Sequence, residues 1–357
     1  MAPATIQIGN RGIGADSPCF VIAEIGHNHQ GSLERAKEML VAAHECGVDA
    51  VKLQKRNNRR LYTRAMYNKP YENENSYGAT YGEHREYLEF GQAEYEALAE
   101  LAHQLGLEFF ATAFDFESAD FLQALGVPAF KIASGDLNNV PLLRHVAGFQ
   151  KPMIVSTGGG TLADVRRAYE AILPINAQLC LLQCTAAYPA AMEDLNLRVI
   201  PAFEREFPAA VIGFSSHDNG IAMPLIAYAL GARVIEKHFT LDRAWKGTDQ
   251  AFSLERPGMQ RLVRDLHNAR RAMGDGLKLP HPTEIGPLQK MGKKLVAARD
   301  LPAQHRLVRS DIAIKSPADG GLPPYELDHV IGRILTKPVA EDDNLGWEAL
   351  APAEPGQ

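Results

Sequence analysis

The chain has 357 residues, 46% hydrophobic and 22% charged, with a formal net charge of -6 at pH 7, the composition of an ordinary soluble globular protein of about two domains. That balance argues against a general nucleic-acid binder or a polybasic membrane patch, so any anion site has to be built locally. No apolar stretch reaches the roughly 18 residues of a membrane span, MAPATIQIGNRGIGADSP is no secretory signal, and Cys19, Cys46, Cys180 and Cys184 form no CxxC pattern, so a cytoplasmic protein with reduced thiols is expected.

From Cys19 onward short apolar runs alternate with helix-like stretches. The runs read as strands are 19–24 (CFVIAE), 50–54 (AVKLQ), 108–114 (EFFATAF), 129–134 (AFKIAS), 152–157 (PMIVST), 179–184 (LCLLQC), 211–216 (VIGFSS) and 233–239 (RVIEKHF). The first helix between them, SLERAKEMLVAAHECG, opens at Ser32 as N-cap, closes at Gly47, and puts Leu33, Ala36, Leu40 and Ala43 on one face. Further helical patterns are QAEYEALAELAHQLG, TLADVRRAYEAIL, MPLIAYALG and MQRLVRDLHNARRAMG. Eight near-continuous apolar strands alternating with helices over about 250 residues predict a parallel (β/α)8 TIM barrel, with an open doubly wound sheet as the alternative. The Tyr-, Asn-, Arg- and Glu-rich insertion between Gln54 and Gln92 falls after a strand, where it would cover substrate at the C-terminal face. The barrel domain is expected over 1–276, a proline-bearing spacer (Pro280, Pro282, Pro287) over 277–292, and a domain of short strands and helical turns over 293–357.

Polar residues at strand C-termini point into a barrel's mouth. The strands offer Glu24, Lys52 with Gln54, Thr112, Lys131 with Ser134, Ser156 with Thr157, Gln183 with Thr185, Ser215 with His217, and Glu236 with His238. Lysines 52 and 131 lie in apolar strands, where they either pair with Glu24 or Glu236 or, with Ser134, Ser156 and Ser215, cradle an anion; the two readings are compatible. Gly158, Gly159 and Gly160 before the helix at Thr161 can add backbone N–H groups, although such turns are often only steric. Two imidazoles on neighbouring strands, His217 and His238, suit a divalent metal, with Asp218 and Glu236 as further ligands or orienters; a histidine ending a strand is more often a hydrogen-bonded structural residue.

The runs IAEIGHNHQGS (22–32), VKLQ (51–54), KIASGD (131–136), STGG (156–159), QCTAAYP (183–189), GFSSHD (213–218), EKHFTLD (236–242) and KGTDQAFSLE (246–255) resemble the sialic acid synthase family, which condenses phosphoenolpyruvate with an aldose to give a nonulosonic acid. The C-terminal segment is similar to its antifreeze-like, or SAF, domain. The resemblance implies Glu24 as catalytic carboxylate, and His217 and His238 as ligands of manganese or magnesium. It places phosphoenolpyruvate on Lys52, Thr112, Lys131, Ser134, Ser156 and Ser215, and the sugar against Gln54, Asp136, Tyr188 and Asp249. It also implies a domain-swapped homodimer. Three positions depart from the pattern: Asp136 replaces a frequent Glu, Ala186 an Asn, and Ser316 the Arg of a KRP motif. YGEH at 81–84 resembles the animal branch, which takes 6-phosphorylated acceptors. Other acceptors are mannose and legionaminic or pseudaminic acid precursors. The competing readings are a barrel isomerase or aldolase that uses no phosphoenolpyruvate, and a non-catalytic carbohydrate-binding or ice-binding protein.

Overall fold

Eight runs of apolar residues form the parallel strands of a closed barrel in the computed structural model, which describes residues 4–352. They are β3 (Phe20–Gly26), β4 (Ala50–Lys55), β5 (Glu108–Ala113), β6 (Phe130–Ile132), β7 (Met153–Ser156), β8 (Leu179–Cys184), β9 (Val211–Ser216) and β10 (Val234–His238). Almost every residue in them is buried, because one face packs the barrel interior and the other meets the helices. β10 hydrogen-bonds back to β3 in the register His238 opposite Glu24. The sheet therefore has no edge, which decides for the (β/α)8 barrel against the open sheet.

The helices stand where the apolar spacing places them. Over Leu33–Glu45, Ser32 Oγ accepts from Arg35 N at 3.3 Å, a cap worth about 1 kcal/mol. Ala36, Leu40 and Ala43 are buried with Met39, while Leu33 is only partly so. Gly47 lies just beyond the C-cap at φ +78°, where a side chain would be strained. Not anticipated is an N-terminal hairpin of β1 (Ile6–Ile8) and β2 (Arg11–Ile13), whose three-residue strands are too short for a period to register. Its isoleucines 6, 8 and 13 join the barrel core.

The long insertion is ordered into helices Asn58–Leu61, Arg64–Tyr67 and Tyr81–Leu88. Thr80 and Glu83 close a capping box on the third, and the Tyr71, Tyr77 and Tyr81 rings gather around His84.

By contact the chain divides into Met1–Gly274 and Asp275–Gln357. In the second unit β11 (Lys294–Ala297) pairs antiparallel with β12 (Ile312–Lys315) around Leu295, Leu307, Leu335 and Leu345. The stretch read as a spacer carries a helix, Ile285–Met291, preceded by a turn in which Glu284 accepts from His281 N at 2.7 Å.

Candidate active site

The register brings strand-end residues into one ring. Glu24 stands opposite Lys52, Gln54 opposite Thr112, Thr112 opposite Lys131, and Ser215 opposite Glu236. A bulge between Glu24 and Gly26 re-aims the end of β3. Gly26 has φ +53°, and a Cβ there would come within 3.2 Å of Glu24 Oε1 and Gln54 Nε2, so glycine leaves room for the carboxylate.

A cavity of about 610 Å³ opens on this ring. Lys52 Nζ lies 2.5 Å from Glu24 Oε2 and 3.9 Å from Glu236 Oε2, and donates to Thr112 Oγ1 at 2.8 Å. Lys131 Nζ is 3.6 Å from Glu236 Oε1 and donates to Ser156 Oγ at 2.6 Å. Ser215 Oγ donates to Glu236 Oε1 at 3.0 Å, and Gln54 Nε2 to Glu24 Oε1 at 2.7 Å. The lysines are thus ion-paired and on the cavity wall at once.

Burial acts on three of these charges with different outcomes. It pushes the Glu24 carboxyl up, against the opposing pull of Lys52. Burial also works against ionisation of Glu236, but Lys131, Lys52 and the Ser215 hydroxyl outweigh it and hold that group at about 2. Lys131 is pushed down by its burial. The two carboxylates are thus driven in opposite directions, Glu24 up and Glu236 down.

The histidines are near neighbours, their ring centroids 5.4 Å apart. His217 Nδ1 lies 2.8 Å from the Thr185 carbonyl; as donor to it, that nitrogen leaves the other with a free lone pair. Burial pushes His238 down to about 4, so it is neutral at pH 7, and its buried Nδ1 has no hydrogen-bond partner. Asp249 Oδ2 lies 3.8 Å from that atom. A lone pair left free on His217 and an orphaned nitrogen on His238 fit a divalent ion. Among the described residues no three His, Cys, Asp or Glu side chains cluster as a ligand set, so the fit is to a site completed by water or substrate.

Of the residues singled out in the sequence, Glu24, Lys52, Gln54, Thr112, Lys131, Ser134, Ser156, Tyr188, Ser215, His217, His238 and Asp249 all line the cavity. Asp136 does not: it sits in a 3₁₀ turn where its Oδ1 accepts from Asn139 at 3.0 Å. Asp218 does not line the cavity either. Its carboxylate meets Ser216 Oγ and the buried Lys237, which points away from the mouth because side chains alternate along β10. On β8 the parity is the reverse of that expected: Cys184 and Ala186 line the cavity, while Gln183 and Thr185 bond the Leu195 and Asp194 carbonyls. A strand buried on both faces carries no alternation to reveal this. Thr157 likewise turns away, donating to the Leu182 carbonyl. The glycine run gives one N–H, that of Gly158, to Ser134 Oγ at 3.0 Å.

The sequence reading missed Arg56, Asn75, Arg85 and Thr248 on the wall. Only Arg56 had a signal: it extends the alternation of Lys52 and Gln54 by one step.

A family model described as the NeuB family matches residues 39–278, and one for the SAF domain matches 294–351. The N-acetylneuraminate-9-phosphate synthase of Homo sapiens is 40% identical over 340 residues, 95% of this chain and 95% of that protein. The N,N'-diacetyllegionaminic acid synthase of Legionella pneumophila is 36% identical over 343 residues, covering 94% and 96%. Among solved structures, the N-acetylneuraminic acid synthetase of Leptospira borgpetersenii in complex with citrate aligns with TM-score 0.71 and 31% identity, over 80% of this chain and 95% of that one.

Proposed function

The chain belongs to the NeuB family, and from that premise we propose that it is a nonulosonic acid synthase, condensing phosphoenolpyruvate with an open-chain N-acetylmannosamine-type aldose to give an N-acetylneuraminate-type acid and inorganic phosphate. The observation that carries this reading is the pair of buried ammonium groups, Lys52 and Lys131, among hydroxyls at the strand ends. Such a pair suits a small polyanion bound next to a proton-exchanging carboxylate.

The chain's own residues have separable tasks. Lys52 and Lys131, with Thr112, Ser134, Ser156 and Ser215 around them, hold the phosphate and carboxylate of phosphoenolpyruvate, fixing its C3 over the aldehyde carbon. Ala186 presents only a methyl group to the same wall, so the lysines carry most of that binding. C3 attacks the aldehyde carbon, and the new C–C bond leaves C2 cationic. Glu24 takes a proton from the water that adds to C2, a role its raised pKa favours. The tetrahedral adduct then breaks its C2–O bond and phosphate leaves. Gln54, Tyr188 and Asp249 face the aldose. Manganese or magnesium held by His217 and His238 would supply Lewis-acid polarisation of the aldehyde.

The test is phosphate release from phosphoenolpyruvate with manganese and a panel of acceptors, products being read by mass spectrometry. The panel holds N-acetylmannosamine, its 6-phosphate, mannose, mannose 6-phosphate and bacillosamine-derived sugars. A nine-carbon acid with one acceptor is expected; no release with any of them refutes the reading. The His217→Ala protein should lose its manganese after dialysis, and stoichiometric retention would remove that residue from the ligands.

A further inference from the structure

The Glu24 carboxylate is held from two sides of unequal firmness. Its Oε2 meets Lys52 Nζ at 2.5 Å, and Lys52 is itself fully buried and bonded to Thr112, so packing fixes that side. Its Oε1 accepts from Gln54 Nε2 at 2.7 Å, but Gln54 is only half-buried on the cavity wall. A glutamine there has rotamers to choose from, and either end of its amide can face a neighbour. Holding the second oxygen of Glu24 therefore requires an anchor for Gln54.

Arg56 is that anchor. Lys52, Gln54 and Arg56 stand in one row along β4 and just beyond it, because alternate residues of a strand face the same way. Arg56 Nη2 donates to Gln54 Oε1 at 2.6 Å. A guanidinium has donors and no acceptor, so only the carbonyl end of the amide can face it, and the nitrogen end is turned to Glu24. Arg56 is itself seated: it is 7% exposed, its guanidinium lies 3.7 Å over the Phe114 ring, and its Nη1 is 3.3 Å from His27 Nε2. The Gln54 backbone is fixed separately, its carbonyl accepting from the buried Tyr95 phenol at 2.9 Å.

We propose that Arg56 is a positioning residue for the condensation, which through the Gln54 amide fixes the plane of the Glu24 carboxylate. The inference rests on the cavity being the phosphoenolpyruvate and aldose site with Glu24 as its base. With Lys52 on one oxygen and Gln54 on the other, the carboxylate cannot turn about its last bond, and its lone pairs stay aimed at the water that adds to C2. The second N–H of the Gln54 amide is left for the aldose. Arg56 touches neither substrate in this role.

A double-mutant cycle on the full chain tests it, with phosphoenolpyruvate, manganese and the acceptor of the panel that gives the fastest phosphate release. Arg56→Met should lower kcat on the order of 10- to 100-fold and leave the KM for phosphoenolpyruvate unchanged, since Lys52 and Lys131 hold that substrate. Because Arg56 acts through Gln54, the protein carrying Arg56→Met and Gln54→Leu together should be no slower than Gln54→Leu alone. Losses that multiply in the double variant overturn the proposal, by giving Arg56 a contact or packing role of its own. An unchanged kcat in Arg56→Met with a lowered thermal midpoint also overturns it, as a purely structural role would. Arg56→Lys, which keeps a charged donor, runs through the same cycle with a smaller loss, so a folding defect of the Met variant leaves the question answerable. Failure of the parent reading looks different: the unsubstituted chain then releases no phosphate with any acceptor, and the proposal falls with it.

Discussion

The barrel mouth buries Glu24, Lys52, Lys131 and Glu236 in one cluster and leaves Glu236 Oε2, His238 Nδ1 and Arg56 Nε without hydrogen-bond partners. Among its described residues the second unit buries one carboxylate, Asp311, and satisfies both its oxygens: Oδ1 accepts from Arg299 at 2.8 Å, and Oδ2 from Val308 N at 3.0 Å with His305 Nε2 at 2.8 Å. An orphaned buried polar atom costs about 1–3 kcal/mol, and a fold selected for stability alone would do better with apolar residues. Orphans also lie away from the cavity, at Asn58, Gln123 and Asn344, so it is their place on the cavity wall that leaves His238 and Arg56 open to a ligand, while the saturated Asp311 holds only its own unit together.

If that contrast is right, removing charge from the two places has opposite consequences. Glu24→Gln keeps an acceptor for Gln54 and should lower kcat about 10³-fold, with the KM for phosphoenolpyruvate and the thermal midpoint little changed. Steady-state phosphate release and a thermal melt check this; full activity would remove Glu24 from the chemistry. Because burial raises Glu24, its carboxylate protonates above the ordinary carboxylate value of about 4.3. The acid limb of kcat/KM should lie above that pH and vanish in the Gln variant.

Asp311→Ala should instead destabilise the second unit by about 1–2 kcal/mol, because the buried carboxylate's hydrogen bonds are lost while its donors Arg299, His305 and Val308 can turn to water, read as an earlier denaturant transition. Burial opposes ionisation of Asp311, but the Val308 N–H, His305 and Arg299 outweigh it and depress the carboxyl to about 2. A folded pKa below the unfolded one gives stability that is complete above pH ~4 and drains away as pH falls toward 2. A melt of this unit that is flat from pH 5 to 2 would make Asp311 ordinary.

How far each region was legible follows from the same physics. The barrel strands stood out because burial on both faces demands unbroken apolar runs, and Lys52 and Lys131 stood out because they break them. Burial on both faces also hid the parity of β8, so Gln183 and Thr185 were expected where Cys184 and Ala186 stand. Asp218 was grouped with the histidines by proximity in sequence, yet it answers Lys237, a lysine whose direction only the alternation on β10 reveals. Arg85 comes from an insertion whose short helices carry no long period, so no pattern aimed it at the cavity.

The smallest effect tests a boundary inside the barrel itself. The glycine run at 158–160 precedes the helix Leu162–Ile172, whose N-terminus was a candidate anion site. Asp164 N donates to Thr161 Oγ1 at 3.3 Å, and Thr161 N donates to Asp164 Oδ2 at 2.9 Å, so the helix's own carboxylate fills the place an anion would take. Thr161→Ala should then cost about 1 kcal/mol of stability and leave the KM for phosphoenolpyruvate where it was. A raised KM in that variant would mean that the substrate reaches past Ser156 to this helix, and that the anion site extends beyond the Lys52 and Lys131 cluster.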